Sequence, residues 1–394
     1  MQKIALIEAY GHSEVLRTFG KLLRAGACEL WIWARPSVRE DCFDVEGERV
    51  HWQELTGEGH AVDWKAIQPA LMGMDVLVFI TLLEGVGLEA LGNVSAPKLL
   101  LVHNGHRFFG GSGRWALWHS GQDRLANVLR AVRWWVRGEG RAVRSVLSQM
   151  DAISFPNVAI DEFMCRNYAS ALDSVAVLPP LPWQFFEGRG GEQAKVEIDI
   201  IVPGTLKAQV RDYDLLFRAF EQLVGRYEGV VRLTFLGEAR PGFGQRQKLR
   251  WRSLESEQLQ LTFFDQKVPQ ILYDKMLQVA DFMILPLYRQ DRVGAIMEEL
   301  GKTKITGGEN DMIRFGIPCL LSDFYPLPAD LESLVGRFGS AEELAELLLE
   351  WIESRAFERI RLASRPALEA RSLENMQQKM KQLLASLASP SAAR

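Results

Sequence analysis

The chain has 394 residues with 46 basic and 50 acidic side chains, a formal net charge of −4. That length suits two domains, and a composition 47% apolar and 24% charged excludes an intrinsically disordered chain. The mildly acidic balance also excludes the basic footprint of a general nucleic-acid binder, so no nucleic-acid partner is expected.

The first half alternates strands with helices. KIALIEAY (3–10) reads as a short apolar strand, and GHSEVLRTFGKLLRAG (11–26) follows with Val15, Leu16, Phe19, Leu22 and Leu23 at helical spacing. ELWIWAR (29–35) is a second strand, and after a loop-rich acidic stretch DWKAIQPALMG (63–73) reads as a helix. MDVLVFITLL (74–83) and PKLLLVHN (97–104) are apolar runs of the kind buried in a parallel sheet. MDAISFPN (150–157) and DSVAVLPP (173–180) add two short strands with a helix between them.

QFFEGRGGEQAKVE (184–197) carries three glycines and no periodicity, and marks a linker. A second series then begins with strand IDIIVPG (198–204), helix DYDLLFRAFEQLVGRY (212–227) and strand VVRLTFLG (230–237). Strand QLQLTFFD (258–265), helix PQILYDKMLQVA (269–280) and strand DFMILPL (281–287) continue it. NDMIRFG (310–316) ends a helix before strand IPCLLSD (317–323), SAEELAELLLEWIES (340–354) is a long amphipathic helix, and 366–388 is helical again. Alternation of this sort is the α/β signature. The expectation is two Rossmann-like domains facing across a cleft. The first spans 1–183 and binds the acceptor, 184–197 links, and the second spans 198–365. A final helix and tail over 366–394 would pack back on the first domain.

Several chemistries drop out. No GxGxxG follows the first strand of either half, where EAYGHSEV has Gly11 alone and VPGTLKAQVRDY has Gly204 alone, so a nicotinamide or flavin dinucleotide is not expected. There is no GxxxxGK[ST] phosphate loop. Cys28, Cys42, Cys165 and Cys319 show neither CxxC spacing nor neighbouring histidines, which argues against zinc and against a disulfide framework. The opening MQKIALIEAYGHSEVL lacks the pattern of a secretory signal, and no run of about 18 apolar residues spans a membrane. A cytoplasmic location is the expectation.

The second half resembles the nucleotide-sugar domain of GT-B glycosyltransferases, in particular the retaining group known as glycosyltransferase group one. The likeness covers 198–323 well and the first half loosely. IIVPGTLKAQVRDYDLL supplies Gly204, Thr205, Lys207 and Arg211, where the family grips the donor diphosphate; the family commonly has Arg where Thr205 stands. FFDQKVPQILYDKMLQVADFMILPL matches the run from the base-binding loop to the strand closing in "LP". KTKITGGENDMIRFGIPCLLSD matches most specifically. By resemblance, Thr306, Gly307 and Gly308 present a hydroxyl and backbone N–H groups to donor phosphate at a positive helix end. Asp311 holds the ribose, and Lys304 adds a cation. Thr303 stands where the family's first acid would be.

The resemblance implies transfer of a sugar from a nucleotide diphosphate sugar to an acceptor hydroxyl, with retention of configuration, in glycan, polysaccharide or glycolipid synthesis. Charge stabilisation by Lys207, Arg211, Lys304 and the helix start needs no cofactor and no metal. In the first half, HNGH (103–106) follows a strand, and the family often carries a cleft histidine there. His103 and His106 are therefore the catalytic candidates, with His12 and Arg107 on the acceptor. The alternatives are a catalytically silent scaffold or nucleotide binder on the same fold, and a sugar-nucleotide epimerase or hydrolase.

One segment breaks the average. Residues 107–147 hold eight arginines against Asp123 and Glu139, a net +6, interleaved with Trp115, Trp118, Trp134 and Trp135. That composition suits an anionic membrane surface or a lipid-linked, phosphate-bearing acceptor. A helix with a tryptophan core stripe and a solvated arginine face is a second reading, and nucleic acid is a third, since arginine and aromatics also serve stacking, although no RNA-binding module accompanies the segment.

Overall fold

The computed structural model describes residues 1–24, 28–55, 62–82, 88–109, 128, 129, 132, 136, 144–181, 183–188, 196–209, 211–293 and 296–388. Most of the arginine–tryptophan segment therefore lies outside the described residues. The chain divides into two compact units. One comprises Met1–Trp183, Arg292–Ile305 and Leu373–Arg394; the other comprises Gln184–Asp291 and Thr306–Ser372.

The first unit is built on β1 (Gln2–Glu8), β2 (Cys28–Ala34), β3 (Val50–Glu54), β4 (Val76–Thr81), β5 (Lys98–Leu101), β6 (Ala152–Ser154) and β7 (Ala176–Leu178). They form one parallel sheet in the order β3-β2-β1-β4-β5-β6-β7. The direction of strand addition reverses between β1 and β4, the place where open α/β sheets form a binding crevice at their carboxyl ends. The central strands read as unbroken apolar runs because helices cover both faces. Side chains such as Ile7, Phe79, Leu100 and Ile153 are fully buried in one core with Trp64 and Phe155. A bulge sits at the crevice: Ile7 pairs with Phe79 and Glu8 with Thr81, so Ile80 opposes no residue of β1.

The second unit repeats the plan with β8 (Ile198–Pro203), β9 (Val231–Glu238), β10 (Leu259–Phe264), β11 (Phe282–Leu285), β14 (Cys319–Ser322) and β15 (Val335–Phe338). Their order is β10-β9-β8-β11-β14-β15, all pairs parallel, with the reversal between β8 and β11. Trp251 anchors its core, edge-on to Phe217, Phe220 and Phe235 at ring-centroid distances of 5.3, 5.5 and 4.8 Å. The helices Tyr213–Leu223 and Ala341–Ser354 start at side-chain caps, Asp212 accepting from Leu215 N and Ser340 from Glu343 N. Between β11 and β14 the chain forms a two-stranded sheet of β12 (Gln290–Val293) and β13 (Ile296–Glu299). The sequence pattern missed β3, β12, β13 and β15, all only four or five residues long.

Two boundaries move relative to the sequence expectation. The stretch Arg292–Ile305, placed within 198–365 from sequence, belongs to the first unit. Ile296, Glu298, Leu300 and Thr303 are buried there, and Ile305 packs on the first core. Residues 185–187 of the linker expected over 184–197 pack within the second unit: Phe185 is buried, Phe186 N donates to Arg371 O and Glu187 N to Arg314 O. The helix Leu373–Ala388 belongs to the first unit, through the buried stripe Met376, Met380 and Leu384. Gln377 donates to Lys21 O from that helix. Among the described residues no helix is long and apolar enough to cross a membrane.

Candidate active site

In the first unit the candidates gather where the sheet reverses. Glu8 ends β1 fully buried, and its Oε1 accepts from Tyr10 N (2.7 Å) and Gly11 N (2.8 Å). Those two bonds close the loop that carries His12. His12 Nδ1 shares a hydrogen bond of 2.6 Å with Thr81 Oγ1 and lies 3.8 Å from Glu8 Oε2. The His12 ring stacks on His103 at 5.0 Å between centroids and 18° between planes. His103 reaches this position because it follows β5, next to β4, and its ring bonds the Ile80 carbonyl set free by the bulge.

Burial disfavours the charged form of both rings. Burial pushes His12 below the ordinary imidazole value; Lys304 adds to the effect and Glu8 opposes it. His103 is held well below that value by burial, then by His12 and Lys304, against the Ile80 hydrogen bond. With one ring nitrogen on Ile80, the buried Nε2 of His103 has no hydrogen-bond partner among the described residues and can accept from a hydroxyl. Lys304, assigned from sequence to the donor, stands in the first unit beside these histidines.

His106 differs from His103. It is 1% exposed, its Nδ1 bonds Met297 O at 2.8 Å, and its ring meets Tyr168 edge-on. These contacts commit the His106 Nδ1 and pack its ring within the first unit. Arg107 lies in the same short helix, Gly105–Phe109, and remains half-buried.

In the second unit the candidates also meet at the reversal. Gly204 ends β8 with φ +92°, and Arg211 bridges to Leu287 just past β11. A Cβ on Gly204 would sit 2.8 Å from Arg211 Nη2, so the guanidinium lies across the glycine. Arg211 bonds the Tyr213 hydroxyl, which donates to the Thr205 carbonyl at 3.3 Å and so ties down the turn. Arg211 is only 6% exposed, and no carboxylate pairs with it among the described residues. The floor beneath is backbone against backbone, since a Cβ on Gly237 would lie 2.4 Å from the Gly204 carbonyl.

The helix Gly307–Phe315 starts beside this turn's neighbours on β11: a Cβ on Gly308 would meet Leu285 at 2.5 Å. Gly307 is exposed at the helix start, and Thr306 is the N-cap without a side-chain capping bond. Thr306 N, however, donates to Tyr325 Oη at 3.1 Å, so this N–H is committed inside the unit. Asp311 is buried, with Tyr273 Oη donating to its Oδ2 at 2.7 Å. Lys207 is exposed on the turn after Gly204. Thr303 is fully buried in the first unit, its Oγ1 accepting from Glu299 N at 2.8 Å, which leaves the position of the family's first acid inside a packed turn.

Sequence reasoning missed Glu8, Thr81, Glu298 and Glu309. Glu8 reads as a strand residue and Glu298 lies in a strand the sequence pattern missed, so only burial reveals them. Glu309 accepts from Tyr325 Oη (2.5 Å) and Gln184 Nε2 (3.1 Å), so it braces the helix start. Among the described residues no group of three or more His, Cys, Asp or Glu is placed to hold a metal ion.

No protein-family model and no curated protein sequence matches the chain. Solved structures do. A glycosyltransferase from Rickettsia africae superposes with a TM-score of 0.61 at 12% identity, over 99% of both chains. The N-terminal domain of Candida albicans trehalose-6-phosphate phosphatase gives 0.56 at 12%, over 99% of this chain and 97% of that one. Phytolacca americana UGT2, solved with UDP-2-fluoro-glucose and pterostilbene, gives 0.51 at 12%, over 98% and 100%. The protein has the GT-B fold, two Rossmann-like domains.

Proposed function

We propose that the protein is a glycosyltransferase that moves a sugar from a nucleotide diphosphate sugar to an acceptor hydroxyl. The observation that carries the reading is Arg211, a buried guanidinium that forms no ion pair among the described residues, laid across a glycine turn where the second sheet reverses. A buried cation without a counter-charge is costly, and a diphosphate supplies the missing anion. Gly204, Thr205, Lys207, Arg211, Gly307 and Gly308 hold the donor phosphates, with the Thr306 hydroxyl and Asp311 as further donor contacts. The protein's own cations then neutralise the leaving group, so no metal is needed.

On the acceptor side, neutral His103 accepts a hydrogen bond from the reacting hydroxyl, with His12 stacked behind it and Arg107 and Lys304 nearby in the chain's first unit. We carry retention of configuration from the resemblance; the anomeric proton of the product, read by NMR, tests it. A glycan or lipid-linked acceptor, action at the cytoplasmic face of a membrane through 107–147, and a place in polysaccharide or glycolipid synthesis complete the proposal. A catalytically silent nucleotide binder is the second reading, favoured by Thr303 being packed where an acid is expected.

Calorimetric titration with UDP, GDP, ADP and dTDP tests the donor site. At least one should bind, and Arg211→Met should weaken it about tenfold or more, since charge-assisted bonds to phosphate are lost. No binding by any of the four, or an unchanged affinity in the variant, removes the assignment. Binding with no transfer to any glycan or lipid acceptor favours the silent reading.

A further inference from the structure

The loop bearing His103 is gripped by a part of the chain nearly two hundred residues away in sequence. Glu298, on β13, is 0% exposed. Its Oε2 accepts from His106 N at 3.0 Å and its Oε1 from Arg107 N at 2.9 Å. Gly105 N donates to Thr303 O at 2.8 Å, and His106 Nδ1 bonds Met297 O at 2.8 Å. Three consecutive backbone N–H groups at the start of the Gly105–Phe109 helix are thus satisfied by 298–303, where a helix would otherwise leave them without partners. Gly105 permits the approach, since a Cβ there would lie 2.6 Å from Met164 Sδ and 3.3 Å from Thr303 Cβ.

We propose that Glu298 is a positioning residue, whose carboxylate fixes the His103–Arg107 loop and thereby sets His103 against His12. A carboxylate is required because both oxygens must accept. Glutamine would turn an N–H donor toward one of the backbone N–H groups. An apolar filler would leave two donors without partners. Burial pushes the Glu298 carboxyl above its ordinary range, against the Thr303 hydroxyl, the two N–H groups and Lys304. An acid is therefore held here at a cost that simple packing does not demand.

This role rests on the acceptor-side reading of His103, so the decisive readouts do not depend on transfer. In the unaltered protein, hydrogen exchange resolved to single amides should show His106 and Arg107 exchanging slowly; fast exchange at either overturns the proposal with no variant needed. In Glu298→Gln, exchange at 105–107 should rise about tenfold more than at the core strands, and the His103 C2–H resonance should move. Retained protection with an unmoved His103 resonance overturns it, and so does a rise in exchange that is uniform over the first unit. Where transfer is measurable, Glu298→Gln should raise KM for the acceptor and leave nucleoside diphosphate affinity unchanged. Failure of transfer with the exchange pattern intact counts against the functional reading and not against the clamp.

Discussion

The two imidazoles at the end of β1 and β5 tie stability to pH. Both titrate below the ordinary histidine value of about 6.5, because burial opposes their charge. Below that value the unfolded chain takes up protons that the folded chain refuses, so stability is complete above pH of about 6.5 and is lost on acidification. Urea midpoints should fall as pH drops through this window, and His103→Gln should flatten the fall; an equal slope in the variant removes His103 as its source. His12 and His103 could be picked as candidates from sequence because each follows a strand of the first half, and Arg211 only through the glycosyltransferase resemblance. Their environments could not be read there. Glu8 reads as the tail of an apolar strand, and only the bulge at Ile80 explains why His103 finds a carbonyl to bond.

Elements held by close backbone approach make sharper tests than elements held by packing alone. The turn after β8 lies on the bulge of β9, where the register skips from Phe235 to Glu238. Gly237 sits in that skip, and its Cβ would have to displace the Gly204 backbone rather than a side chain. Gly237→Ala should therefore cost about 1–3 kcal/mol in denaturant unfolding and also weaken nucleotide binding. Gly11→Ala, with nothing within 4 Å of the added carbon, should change stability by less than about 0.5 kcal/mol. Equal effects from the two would show that the turn yields. The long apolar strands were readable from their runs of Val, Ile and Leu. β3, β12, β13 and β15 were not, because four or five residues carry too little pattern to separate a strand from a loop.

At the scale of the molecule, two α/β series were visible in the sequence. The excursion Arg292–Ile305 was invisible, since its partners are the N–H groups of residues 105–107 and no local pattern announces a contact across such a distance. The chain changes unit after Trp183, Asp291, Ile305 and Ser372. That threading governs the order of birth. A nascent chain that has just emerged through Trp183 possesses every strand of the first sheet but neither Glu298 nor the helix Leu373–Ala388. At roughly 5–20 residues per second, the ribosome needs on the order of ten to forty seconds to deliver them. The half made first is thus the half finished last. Stalled chains of 183 residues should be digested by protease far faster than released full-length protein, whereas equal resistance would mean the first unit closes without its late pieces. A cell that makes this protein has to shelter the first unit until the residues through Ala388 have been made.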